Sequence, residues 1–386
     1  MTSQKIIIGS SHIWNSTVKL GGHQYAKCFA DEGWQVAYIS APISPFHVFY
    51  NVFSSRRAKV LLPQRLDSWM KGGYQSGNVW SYVPFGLIPV AGMFPFNSRW
   101  AIDHAGTLLV PPLKKKLTKK GFSRVQTIWL NSPLFGYLLD MIPHDTSVLR
   151  VGDDLSGFGF GEGLAEAERS LAQRVDLVVV TSSLLEAKMK EAGAKRILYL
   201  PNGVDYRHFA DDRSPEPDDF RSIPAPRVLY VGAIERWFDD ERVAYAAEKR
   251  EDLSFVIIGP YETGMFPRIE KLHNVFLLGR RDYTNVPSYM KHSQVGMIPF
   301  RKQPFVESIN PIKLYEYMAC GLPVVATKWK TLEDMASPAL LVESKEEFLE
   351  AIDAAVKKDE SFKDSCVQFA HENSWSKRLE KVKGYL

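Results

Sequence analysis

The chain has 386 residues, 45% hydrophobic and 24% charged, with no low-complexity tract or repeat; this excludes a disordered or fibrous protein and makes two domains the first expectation. The net charge of +4 conceals a division, because residues 1–150 carry 16 Lys/Arg against 6 Asp/Glu (+10) and the remainder 32 against 38 (−6). Three scattered cysteines, Cys28, Cys320 and Cys366, exclude a disulfide scaffold, and no apolar run reaches the ~18 residues of a membrane span.

In chain order, the opening segment MTSQKIIIGSS reads as a short apolar strand without signal-peptide anatomy, so a cytoplasmic protein is expected. Apolar, β-branched runs at 5–10, 34–40, 125–131, 147–153, 176–182 and 196–201 alternate with amphipathic stretches, the pattern of a parallel sheet with crossover helices. The segment 202–226 is rich in Pro and Asp without periodicity and reads as a linker. A second series of strands follows at 227–233, 253–259, 274–279, 295–300, 323–327 and 339–343, and the chain closes on an amphipathic helix at 372–386. The expected organisation is therefore an α/β domain over 1–201, the linker 202–226, and a second α/β domain over 227–371. Two doubly wound domains turn their strand C-termini to a central cleft, so functional residues should sit just after strands.

The most distinctive such segment is NPIKLYEYMACGLPVVA, starting at Asn310. Pro311 suits a first helical turn, and Lys313 and Glu316 then share one helix face. An ordinary surface ion pair at this spacing contributes a few tenths of a kcal/mol and needs no function. A helix start plus a lysine also suits a diphosphate, and a carboxylate suits the vicinal hydroxyls of a ribose.

The Gly-x-Pro-Val-Val turn after this helix, PNGVD at 201–205 and VGAI at 231–234 together resemble the GT-B glycosyltransferases over essentially the whole chain. That resemblance implies two Rossmann-like domains facing a central cleft, with the nucleotide-sugar on the second. It also implies Glu316 on the ribose, Lys313 and the helix start at Asn310 and Pro311 on the diphosphate, and Gly232 and Ile234 near the nucleotide. The last helix, 372–386, would cross back to the first domain. Retaining members often carry two glutamates eight positions apart, whereas Glu307 and Glu316 are nine apart here, which favours an inverting transfer.

Inversion needs a general base for the acceptor hydroxyl. The segment LRVGDDLSGFGFGEG supplies Asp153 and Asp154 directly after a strand. A helix N-cap is the competing role for either, and the expected split is Asp153 as base with Asp154 as orienter or cap. The loop after the first strand, the Gly-His at 22–23 and PISPFH at 42–47 are similar to bacterial exopolysaccharide glycosyltransferases, including the xanthan-type glucuronosyltransferase. That likeness implies a UDP-sugar donor, with UDP-glucuronate one candidate, no metal or other cofactor, and a polyprenyl-diphosphate-linked saccharide acceptor. It also offers His23 as a substrate-binding residue, against the commoner role of a structural hydrogen-bonder. No Asp-x-Asp follows a strand, which agrees with the expectation of no metal.

The basic runs 54–65 and 111–124 flank an apolar, aromatic stretch at 82–96. A solvated helix face explains the charges alone; with the aromatics they predict docking of 54–124 on an anionic membrane at its cytoplasmic face, and no nucleic-acid motif accompanies them. Two other functions remain open on the sequence: a nucleotide-sugar epimerase on the same fold, and a non-catalytic sugar-nucleotide-binding subunit.

Overall fold

Three consecutive isoleucines, Ile6 to Ile8, are fully buried in strand β1 (Lys5–Ser10), as an unbroken β-branched run requires of a parallel strand covered on both faces. In the computed structural model, which describes residues 4–53, 56–90, 94–155 and 162–386, the chain divides into Met1–Pro201 with Leu379–Leu386, and Asn202–Arg378.

The first unit contains β1, β2 (Gln35–Ser40), β3 (Tyr74–Ser76), β4 (Val79–Tyr82), β5 (Phe85–Gly86), β6 (Leu109–Val110), β7 (Val125–Leu130), β8 (His144–Val151), β9 (Leu177–Val180) and β10 (Ile197–Tyr199). Its main sheet has the order β10-β9-β8-β7-β1-β2-β4-β3, parallel except where β3 pairs antiparallel with β4. Ser10 and Ser40 are register partners at the carboxyl ends of β1 and β2. The chain winds outward from β1 to β4 and resumes on the other side at β7, so the switch point lies between β1 and β7. One face is filled by aromatics: Tyr25 and Phe29 of the helix Gly21–Asp31 lie 4.5 and 6.2 Å from the Trp129 ring. Strands β3 to β6 are too short, and Ser81 and Gly86 too unlike strand residues, to stand out in the sequence.

The second unit contains β11 (Arg227–Val231), β12 (Ser254–Ile258), β13 (Val275–Gly279), β14 (Val295–Ile298), β15 (Val324–Thr327) and β16 (Leu340–Val342), in the all-parallel order β13-β12-β11-β14-β15-β16. Its switch point lies between β11 and β14.

Residues 202–226 differ from the linker expected of them. They carry two short helices, Tyr206–Ala210 and Asp218–Arg221, whose Phe209 and Phe220 are fully buried in the second core. Burying one such side chain contributes roughly 1.5–3 kcal/mol, enough to fasten the segment to that unit despite its polar composition. The helix Trp375–Lys383 brings the chain back to the first unit, where Lys383 Nζ lies 2.6 Å from Glu32 and Tyr385 lies under the Arg196 guanidinium.

Candidate functional site

In the second unit the helix Ile312–Ala319 begins without a side-chain cap, after Pro311 in extended geometry. The N–H groups of Ile312 and Lys313 have no recorded acceptor among the described residues, as expected of an uncapped first turn. Lys313 and Glu316 are half-buried and, despite their spacing, make no ion pair with each other or with any other described residue. The Lys313 ammonium instead lies 4.0 Å from the Tyr230 ring centre and 4.8 Å from that of Phe300. Burial pulls it down to about 7, and the Glu316 charge pulls it partway back; burial pushes the Glu316 carboxyl up to about 7, against the pull of Lys313.

Glycine is required at the loop that Lys313 meets. A Cβ on Gly232, whose φ is +146°, would stand 2.7 Å from Lys313 Nζ, and a Cβ on Gly259 would stand 1.8 Å from the Gly232 carbonyl. The loops after β11 and β12 are thus drawn together beside the ammonium, at the carboxyl edge and next to the switch point. Open N–H groups, a cation and an uncommitted carboxylate on one helix can meet a ligand that combines phosphate with vicinal hydroxyls.

Three other residues singled out by the sequence have local duties here. The buried Asn310 accepts from the Asn202 N–H at 2.9 Å and the Tyr315 hydroxyl at 3.1 Å, while Asn202 Nδ2 donates to the Asn310 carbonyl at 2.7 Å. The likeness in PNGVD and in NPIK therefore reflects one reciprocal clasp, and the Asn310 side chain is committed to it. Ile234 is 1% exposed in the core, with its N–H on the Pro260 carbonyl. Glu307 accepts from the Lys330 N–H at 2.8 Å, at the start of the helix Lys330–Asp334. The acids Asp239 and Asp240 serve similarly, the first capping the helix Asp240–Lys249 and the second paired with Arg301.

In the first unit, β8 ends at Val151 and presents Asp153 and Asp154 at the carboxyl edge; residues 156–161 of their motif lie outside the described residues. Asp154 is held by Lys188 at 2.9 Å, and Lys188 also lies 3.5 Å from Glu168. Glu168 is 3% exposed, and burial pushes its carboxyl up to about 7, with Lys188 opposing. Asp153 is exposed and makes no recorded ion pair among the described residues. Desolvation by the protein packed around the carboxyl raises it above the usual carboxylate range even though the residue keeps solvent access, and the Arg150 charge pulls it partway back. An accessible carboxylate with a raised pKa is suited to accept a proton.

His23 is accounted for by main chain. Its Nδ1 accepts from the Leu20 N–H at 3.2 Å, capping the helix Gly21–Asp31, and its Nε2 contacts the Ile13 carbonyl at 2.8 Å. Burial lowers its pKa to about 4, which favours the neutral ring. The sequence signal missed in this region is the absence of any acid between Glu32 and Asp67, which contains Arg65.

Residues 8–181 match the family model "Glucuronosyltransferase GumK, N-terminal domain", and residues 225–358 match "Glycosyl transferases group 1". A Bacillus subtilis protein described as a teichuronic acid biosynthesis glycosyltransferase, TuaH, is 26% identical over 235 residues, and the match spans 58% of this chain and 59% of that protein's length. Among solved structures, sucrose-phosphate synthase from Thermosynechococcus elongatus superposes with a TM-score of 0.71 at 18% identity, over 99% of this chain and 98% of that one. Anabaena HepE in complex with UDP-glucose superposes with a TM-score of 0.64 at 16% identity, over 99% and 98%. With glycosyltransferase models covering both halves and the fold shared from end to end, the chain belongs to the GT-B glycosyltransferases and is similar in its first half to the glucuronosyltransferase GumK.

Proposed function

We propose that the protein transfers a sugar, with inversion and without a metal ion, from a UDP-sugar to a lipid-linked saccharide at the cytoplasmic face of a membrane. The observation that carries this reading is Lys313 and Glu316 on one uncapped helix beside Gly232, neither of them in an ion pair among the described residues. A purely structural pair at that spacing would close on itself. In the proposed role Glu316 accepts from the ribose hydroxyls, while Lys313 and the Ile312 and Lys313 N–H groups meet the diphosphate. In the first unit Asp153 takes the proton of the acceptor hydroxyl as its oxygen bonds to the anomeric carbon. The bond from that carbon to the diphosphate breaks, and UDP leaves with the electron pair, its charge met by Lys313. Asp154 holds the turn through Lys188. UDP-glucuronate is the donor suggested by the family model of the first half, and the complex of HepE with UDP-glucose supports a uridine nucleotide.

Incubating the protein with a panel of UDP- and GDP-sugars, with and without a membrane lipid extract, tests the reading. Nucleoside diphosphate release that depends on both a UDP-sugar and the extract is expected. Conversion of a UDP-sugar without any acceptor, or the same release from every donor, would overturn it.

Membrane docking is supported by the surface of the first unit. Leu87, Leu108 and Val110 are exposed on or beside the β5–β6 ribbon, where the Leu87 N–H bonds the Leu108 carbonyl, and Phe94 and Trp100 are 82% and 61% exposed. The helix Leu113–Lys119 follows at once, with Leu113 and Leu117 buried and Lys114, Lys115 and Lys119 outward. No helix among the described residues is long and apolar enough to cross a membrane. Residues 54–55 and 91–93 of the proposed docking region lie outside the described residues. Replacing Lys114, Lys115, Lys116, Lys119 and Lys120 by Gln should release the protein from anionic vesicles, because each lysine contributes about 1 kcal/mol near such a surface before screening. Transfer to a short water-soluble acceptor should persist. Co-sedimentation at low and high salt reads the result, and a wild type that ignores anionic vesicles at low salt would remove the membrane from the account.

A further inference from the structure

Arg65, on the helix Arg56–Lys71, carries a charge that no described carboxylate balances. Its Nη2 donates to the Ala41 carbonyl at 2.5 Å, its Nε is fully enclosed without an acceptor, and no ion pair is recorded for it. The sequence offers no local help, since residues 33–66 contain no Asp or Glu. A half-buried guanidinium whose Nε is enclosed, with no described carboxylate to balance it, is costly, and a bound anion would relieve that cost.

Its neighbours are also cationic or neutral. His12 follows β1 by two residues, its carbonyl accepts from Ser40 Oγ at 3.2 Å, and its imidazole has no recorded hydrogen bond among the described residues. His47 is engaged with Ser44 Oγ at 2.7 Å. Burial first, and the Arg65 charge second, lower both imidazoles below their ordinary range. Ala41 and His12 follow paired strands, so the group stands at the carboxyl edge of the sheet, the same edge that carries Asp153. Strands β2 and β8 are separated by β1 and β7, three strand spacings or about 14 Å. That is room for a short saccharide between a proton acceptor at one end and a cation at the other.

We propose that Arg65, with His12 beside it, forms an oxyanion site that holds the diphosphate of a lipid-linked saccharide acceptor. The inference rests on the reading of the first unit as the acceptor-binding half, and what it adds is the pair of residues that would hold the phosphate end of such an acceptor. Arg65 forms no bond to the reacting atoms and acts by binding.

The first test is binding of inorganic diphosphate, by calorimetry, to protein saturated with UDP so that Lys313 is already occupied. Wild type should bind one equivalent, Arg65→Met should lose at least 10-fold in affinity, and Arg65→Lys should lose less. No diphosphate binding under UDP saturation, or equal binding by Arg65→Met, would overturn the site. Removing an unbalanced charge should leave the melting temperature of Arg65→Met unchanged or higher; a marked fall would assign the guanidinium to structure instead. The second test identifies the source of the anion, using one saccharide on a lipid diphosphate and the same saccharide on a neutral alkyl chain. Arg65→Met should raise KM at least 10-fold for the first, leave kcat near wild type, and change neither constant for the second. Equal effects on both acceptors would overturn the assignment to the acceptor diphosphate. Intact diphosphate binding without transfer to either acceptor would instead count against the glycosyl-transfer reading and leave the site standing.

Discussion

Asp153→Asn is expected to lower the transfer rate by 10²- to 10⁴-fold while UDP affinity stays within about twofold of wild type. The amide keeps the shape of the side chain and removes its capacity to take a proton, and Asp153 has no recorded ion pair that the change would break. Asp154→Asn should behave differently. It takes a charge from Lys188, whose other carboxylate among the described residues is Glu168 at 3.5 Å, so its main consequence should be lower stability with a smaller loss of rate. Transfer assays paired with thermal unfolding separate the two. If Asp154→Asn alone stops transfer with an unchanged melting temperature, the neighbours have exchanged roles, and if both variants remain active the base lies elsewhere.

Glu316→Ala should weaken UDP binding by about 10- to 100-fold, corresponding to the roughly 1.5–3 kcal/mol of a hydrogen bond to a charged group. The fold should not suffer. Glu316 makes no ion pair among the described residues, and burial raises its pKa against the pull of Lys313, so its ionised form already costs stability in the free protein. Calorimetry of UDP against wild type and variant gives the affinity, and equal dissociation constants would remove Glu316 from the site.

How far the sequence was legible depended on the range of the interactions involved. Ile6 to Ile8, or Leu177 to Val180, announce buried parallel strands because composition and burial coincide within a few residues. Lys313 and Glu316 were legible because helical spacing alone puts them on one face. The segment 202–226 was not, since its placement depends on Phe209 and Phe220 meeting a core assembled from much later residues. Nor was the duty of Asn310, whose partner Asn202 lies 108 positions away, or the contact by which His23 accepts from the Leu20 N–H at a helix start. Arg65 illustrates the opposite limit. What sets it apart is a missing partner, visible in the sequence only as a long interval without acids and interpretable only once its Nε is seen to be enclosed.

If the helix Ile312–Ala319 holds a nucleoside diphosphate through Lys313, UDP affinity must depend on pH. With its pKa lowered to about 7, Lys313 of the free protein loses its proton as pH rises from 7 to 8.5, an interval in which the UDP phosphates stay ionised. Bound diphosphate favours the ammonium, so binding must take up a proton and should weaken by about tenfold across that interval, somewhat offset by Glu316 as it ionises. Lys313→Met removes the titrating cation. Its affinity should be lower at pH 7 and then stay level or rise toward pH 8.5. Parallel profiles for wild type and Lys313→Met, measured by calorimetry at the same ionic strength, would contradict the assignment of Lys313 to the diphosphate.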